Sequence, residues 1–227
     1  MSTQNIKNKV NVLDNPKWQT NQIASNAASH YKSILFFGLF WNGFLSVFLF
    51  FIWEDIGDIL SDSIIAYVFI LFPIVGIYII YLGVKEALAW NKFGATPLVM
   101  DPFPGEIGDL VSGYVDVNIV YDPTSIVTVT LSCLRHKLVT HKNKSKYYTD
   151  TVWDKETVVN LTTSSIGSRV KFEFEVPEGL PESELESDLF HDWKFHIKLA
   201  LKGLDLEREF DIPVMKSTQE NFDRYGR

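Results

Sequence analysis

The sequence is poor in cysteine: Cys133 stands alone in 227 residues. No intrachain disulfide can form, which fits a reducing compartment without requiring one. Charge is missing from two long stretches, residues 34–53 and 64–84, which hold no Asp, Glu, Lys, Arg or His. The loop between them holds no Lys or Arg; its charges are Glu54, Asp55, Asp58 and Asp62. A basic excess is missing as well. The formal charge is −7, and residues 93–227 alone carry 15 Lys/Arg against 22 Asp/Glu. An acidic soluble part argues against general nucleic-acid binding, because phosphate backbones need a basic surface. No G-x-S-x-G, Walker, Rossmann or H-E-x-x-H pattern occurs, so catalysis has no signature here. The first 33 residues are polar and Asn-rich, with the apolar run too far from the start for a cleavable signal peptide. The first run is expected to remain as an anchor that also directs insertion.

What is present in the two uncharged stretches is hydrophobicity on every face, not on one stripe as in the core helix of a soluble protein. Each stretch has about the 20 residues that a helix needs to cross roughly 30 Å of hydrocarbon. Tyr31 and Trp53 bracket the first and Tyr81 and Trp90 mark the end of the second, where amphipathic rings favour the headgroup level. The expectation is a transmembrane helical hairpin over residues 34–93. Lys7, Lys9, Lys17 and Lys32 precede it, and Lys85 and Lys92 follow its second helix. The positive-inside rule then predicts an integral membrane protein with both termini cytoplasmic and the acidic loop outside, in a bacterial inner membrane. Gly38, Asn42, Gly43, Pro73 and Gly76 are the candidate packing positions within the spans, small residues and a polar amide drawing helices together and the proline kinking one. With no ionisable residue in either span, proton relay and ion transport by this chain alone are not expected.

After Trp90 the period changes from helical to two. A Pro/Gly-rich connector over residues 94–108, with Pro97, Pro102, Pro104 and Gly105, marks a boundary. Residues 1–33 are read as a polar N-terminal segment, and 94–227 as a β-sandwich with a short tail. In residues 169–176, Val170, Phe172, Phe174 and Val176 alternate with Arg169, Lys171, Glu173 and Glu175. Residues 193–201 repeat the pattern with Trp193, Phe195, Ile197, Leu199 and Leu201. Such alternation marks antiparallel strands with one face buried. Further strands are predicted at 111–121, 126–133, 147–161 and 206–214, the last in a hairpin with 193–201. The fold class is an α-helical hairpin plus a single arrestin/immunoglobulin-like antiparallel β-sandwich.

Two segments carry a resemblance. Phe103-Pro104-Gly105-Glu106 followed by Val111-Ser112-Gly113-Tyr114-Val115 is similar to the opening of arrestin-type domains. Later, 170–176, Pro177, Leu180-Pro181-Glu182-Ser183 and 193–201 resemble the arrestin sequence of aromatic strand, Leu-Pro-x-Ser loop and long strand. The full layout resembles a group of uncharacterised bacterial membrane proteins with two transmembrane helices and a C-terminal arrestin-like sandwich. Arrestins have two sandwiches and no anchor, so receptor or clathrin binding does not carry over. The resemblance implies a noncatalytic protein-binding sandwich.

Chemistry-bearing clusters are few. Cys133, His136 and His141 invite a metal reading, but Cys133 and His136 point to opposite faces of one strand and no second cysteine completes a set. Cys133 is read as core and the histidines as loop residues; no metal ligand, catalytic residue or cofactor is expected. The acidic residues Glu182, Glu184, Glu186 and Asp188 fall in a Pro/Gly/Ser loop and read as solvated. Against the acidic background stands a basic stretch, Arg135, Lys137, Lys142, Lys144 and Lys146, followed by Tyr147 and Tyr148. It is either a lipid- or partner-contacting patch or a hairpin tip kept soluble by lysine. The functional expectation is a membrane-anchored adaptor or accessory subunit with a protein partner and membrane lipid as its contacts, binding an extended peptide along a free sheet edge. Alternatives are a membrane-bound toxin-neutralising (immunity) protein and, more remotely, a hydrolase.

Overall fold

A computed structural model describes residues 13, 15–51, 53, 54, 57, 63–141, 144–201 and 204–216, with side chains of 63–70 excepted. Lys142, most of the loop 54–63 and the C-terminal tail lie outside the described residues. The chain forms two compact units, one of Asn26–Gly94 and one of the chain up to Ser25 and from Ala95 onward.

The first unit is a pair of antiparallel helices, α1 (Ala27–Phe51) and α2 (Ser63–Phe93). Both outrun the apolar stretches: α1 starts ahead of its own, and α2 continues through Lys85, Glu86 and Lys92. Gly94 ends α2 in a left-handed conformation (φ 72°), its N–H bonded to the Trp90 carbonyl at 2.8 Å, a common helix stop. The helices meet at small residues. A Cβ on Gly76 would lie 2.7 Å from the Asn42 amide and 2.8 Å from Trp41, and one on Gly38 would lie 2.9 Å from Ile80. Gly83, which the sequence did not single out, presses against Leu35 in the same way. Gly43 faces open space and is not at the contact, so it does not pack the pair as expected. Helix α2 runs through Pro73 without a break in the helix. The polar residues are satisfied inside α1: Asn42 Nδ2 donates to the Gly38 carbonyl at 2.7 Å and Ser46 to the Asn42 carbonyl at 2.8 Å. Trp41 stacks on Phe72 at 5.5 Å and donates to its carbonyl. Away from this seam the uncharged stretch of α1 presents an apolar surface, with Phe36, Phe40, Phe44 and Phe51 between 61% and 77% exposed. Both α1 and the Leu71–Phe93 part of α2 are long and apolar enough to cross a membrane.

The second unit is a β-sandwich. Its strands are β1 (Gln22–Ile23), β2 (Leu98–Met100), β3 (Gly105–Ile107), β4 (Leu110–Val117), β5 (Ile126–His141), β6 (Lys144–Ser164), β7 (Gly167–Glu175), β8 (Leu189–Leu199), β9 (Leu206–Ile212) and β10 (Val214–Lys216). Hydrogen bonding runs β1-β2-β4-β7-β6-β5-β8-β9, with β3 and β10 as a separate parallel pair. Strand β6 belongs to both layers. Residues 144–160 pair with β5, and 161–164 pair with β7. One layer is therefore β1-β2-β4-β7 and the other β5-β8-β9, with β6 crossing between them, as strands at sandwich corners do.

The alternation read from the sequence is observed in β7 and in β8 as far as Leu199, where β8 ends short of Leu201. Val170, Phe172, Phe174 and Val176 face Trp193, Phe195, Ile197 and Leu199, all buried. Phe172 stacks on Phe195 at 3.9 Å across the layers, with Phe174 and Phe210 at 6.3 and 6.2 Å. The expected β8–β9 hairpin is present, Phe195 opposite Phe210. Residues 94–108 are more than a connector: Leu98 and Met100 are fully buried in β2, and Gly113 lets β4 approach β2 so closely that a Cβ would strike the Val99 backbone. The N-terminal segment also joins the sandwich. Leu13, Trp18 and Ile23 are buried, and the Trp18 indole donates to the Asp211 carbonyl of β9 at 2.8 Å.

Candidate interaction surfaces of the sandwich

The strand register sorts the polar residues into faces. Even-numbered residues of β8 face outwards and meet the acids of β9. Lys194 bonds Glu209 at 2.7 Å and lies 3.5 Å from Asp211, and His196 lies 2.9 Å from Glu207. Burial works against the Lys194 ammonium, but the Glu209 bond and the charges of Asp211 and Asp192 hold its pKa above the usual value. On the other layer Arg169 forks onto Asp116 at 2.6 and 2.7 Å and lies over the Tyr114 ring at 3.8 Å. That bonded guanidinium keeps the Asp116 carboxyl below its usual pKa. These are cross-strand pairs on sheet faces, not groups converging on a pocket. Among the described residues, no three His, Cys, Asp or Glu side chains gather as metal ligands would. An open depression of about 510 Å³ lies between Gly108, Asp109, Leu110, Glu175, Val176, Pro177 and Glu178.

Cys133 is fully buried in the core row, as expected, and burial pushes its thiol up to about 12. His136 and His141 lie on strand β5, not in a loop. His136 belongs to the outer face, bridged to Asp192 at 2.9 Å and Thr149 at 3.0 Å and stacked on Phe190 at 4.6 Å.

The acidic loop is less free than its composition suggests. Ser183 is buried; its hydroxyl donates to the Ile212 carbonyl and accepts from the Val214 N–H at 2.9 Å. Glu184 accepts from the His191 backbone and ring at 3.0 and 2.8 Å. Pro181 offers its carbonyl to the Trp193 indole at 3.0 Å.

The basic stretch is likewise regular strand, forming the outer end of the β5–β6 hairpin. Arg135 pairs with Asp150, Lys137 with Tyr148, Val139 with Lys146 and His141 with Lys144. Strand alternation puts all of these on one face, and all are exposed. The opposite face is occupied: Tyr147 meets Phe190 edge-on at 5.6 Å and bonds the Ser187 carbonyl; in the plane of the sheet, the Leu138 N–H bonds the Asp188 carbonyl. Partial burial and the charges of Glu186 and Asp188 raise the Tyr147 pKa. The acidic loop and the basic ribbon, distant in sequence, thus lie side by side.

The two margins of the β5-β8-β9 layer differ. At β9 lies the N-terminal segment, through Trp18 and a Lys17–Asp211 ion pair of 3.2 Å. At the other margin, residues 144–160 of β6 pair with β5 on one side and, among the described residues, with no strand on the other. This edge carries two interruptions. Val152 is an extra residue opposite the Cys133–Leu134 step, and Lys155, beside fully buried Leu131 in the inner row, is exposed. Bulges and inward-facing charges are common guards against indiscriminate pairing.

No family model and no curated protein matches the sequence. Among solved structures the chain is similar to Spo0M, a sporulation control protein from Bacillus subtilis, at 14% identity and a TM-score of 0.35, over 56% of this chain and 51% of that one. The match spans about half the length of that protein. So distant a likeness bears on no function, and the sandwich rests on the strand register and core described above.

Proposed function

We propose that this protein is a membrane-anchored, noncatalytic adaptor or accessory subunit that receives an extended segment of a protein partner along the free edge of β6. The observation that carries the reading is the asymmetry of the layer: the β9 margin is occupied by the chain's own N-terminal segment, whereas residues 144–160, among the described residues, have a partner strand on one side only. An added strand pairs along the other side, and alternate side chains supply selectivity. Lys155 favours a partner with an acid beside it in the inner row, since an uncompensated ammonium there is costly.

Anchoring is supported by the helix pair. A helix of 25 residues such as α1 is about 38 Å long, enough for a hydrocarbon core. Exposed phenylalanines around it have no favourable contact in water. Tyr31 and Trp90 lie 6.1 Å apart at the end that carries Lys32, Lys85 and Lys92. That end is the cytoplasmic one by the positive-inside rule, in a bacterial inner membrane.

Capture of the full-length chain in mild detergent tests the adaptor role. A stoichiometric partner is expected, and its absence together with substrate turnover contradicts the role. Single cysteines at Ser61 and Ser217, probed in intact cells with an impermeant maleimide, test the orientation. Labelling at 61 alone is expected, because buried Cys133 gives no background; labelling at 217 reverses the topology.

A further inference from the structure

We infer that the outer end of the β5–β6 hairpin seats on an anionic bilayer surface through its basic face. Four observations support this. Arg135, Lys137, Lys144 and Lys146 share that face with His141, a local cationic strip on a chain of net charge −7. Arg135 alone has a carboxylate partner there, Asp150 at 3.1 Å; Lys137, Lys144 and Lys146 have none among the described residues. Tyr148 and Val139, 56% and 38% exposed, interrupt the lysines, and Lys146 lies 5.9 Å from the Tyr148 ring. An aromatic and a short apolar side chain between cations suit the headgroup–acyl boundary. Lastly, the reverse face is held against Phe190 and the Ser187 carbonyl, so the ribbon presents the basic face as a preformed surface. A nucleic-acid partner is disfavoured by the acidic remainder of the chain.

The inference rests on the membrane anchoring proposed above, which would tether the sandwich to a lipid surface and raise the effective concentration of lipid that it meets. Each lysine near an anionic leaflet is expected to raise the docked-to-undocked ratio about five-fold at low salt.

The test uses the full-length chain in lipid nanodiscs, with Tyr148→Cys carrying an environment-sensitive fluorophore; buried Cys133 stays unlabelled. Discs of phosphatidylglycerol and phosphatidylcholine are compared with discs of phosphatidylcholine alone. A blue shift only in the anionic discs, reversed by high salt and reduced at least ten-fold in docked ratio by Lys137→Ser with Lys144→Ser, supports the inference. Equal spectra in the two disc types with both incorporating protein overturn it. A blue shift in phosphatidylcholine discs on addition of soluble polyglutamate, with none from phosphatidylglycerol, overturns it in favour of an acidic protein. Failure to incorporate into either disc defeats the anchoring itself and the docking with it.

Discussion

Trp18→Ala should loosen the whole sandwich although residue 18 lies far from it in sequence. The indole is buried beside Leu13 and Ile23 and donates to the Asp211 carbonyl at 2.8 Å. Truncating a packed tryptophan costs about 3–5 kcal/mol. The low end applies here, since a peripheral segment can relax, and about 1 kcal/mol of the total is the hydrogen bond. The single cysteine provides the assay. Cys133 is fully buried two strands from the lesion, its thiol pushed up to about 12. It reacts with a maleimide only when the sheet opens, so under fast reclosing its labelling rate follows the opening equilibrium. A loss of about 3 kcal/mol is roughly a 150-fold acceleration. Trp18→Phe keeps most of the packing and loses the donor, so about five-fold is expected. A rate for Trp18→Ala within about three-fold of wild type, about 0.6 kcal/mol, would show that the N-terminal segment is not part of the sandwich, and with it the contrast between the two sheet margins would fall.

Three further outcomes are expected. Asp116→Asn removes the fork from Arg169 and costs about 1–2 kcal/mol near neutral pH in chemical denaturation. Because the folded Asp116 pKa is depressed, its contribution is present above the unfolded carboxylate value and is lost as pH falls through the lower folded value; the variant should show a shallower decline below about pH 4, and an unchanged acid limb refutes the pairing. Lys155→Val removes the inward charge from the β6 edge and should give concentration-dependent self-association by light scattering while Lys155→Glu does not; identical behaviour of the two would mean the edge is not accessible. Gly76→Leu must displace Asn42 and Trp41 and should weaken the helix pair by about 1–3 kcal/mol, measured as thermal stability in nanodiscs, whereas Gly43→Leu, facing open space, should be near neutral.

The strands that were legible in the sequence are those with one face wholly buried, β7 and β8, where Phe172, Phe174, Phe195 and Ile197 alternate with charge. Strand β5 reads as ending near Cys133 because its inner row turns from apolar to basic at Arg135 and Lys137, where the ribbon leaves the core. Three-residue β2, within a proline-rich stretch, shows no period long enough to detect. Trp18 and Ile23 gave no signal at all, since their burial depends on partners, Asp211 and Leu98, far away in the chain. Ser183 looks like an ordinary loop residue until the ends of β9 and β10 are placed beside it. In the hairpin, the hydrophobic runs were plain, but which glycines face the seam depends on rotation: Gly38 and Gly76 do, Gly43 does not. The basic residues were visible as a cluster; that Arg135, Lys137, Lys144 and Lys146 share one face follows only from the β5–β6 register.

The most direct measurement is site-specific photo-crosslinking of the full-length chain in its native membrane. A benzophenone side chain is placed at Glu156 or Val158 on the open β6 edge, at Glu207 on β9, and at Phe40 on the exposed face of α1. Adaptor use of the β6 edge is expected to give one discrete product containing the same protein from both β6 positions and none from Glu207. Products from Phe40 alone, with the β6 positions silent in a folded chain, would contradict it and place partner contact in the membrane helices.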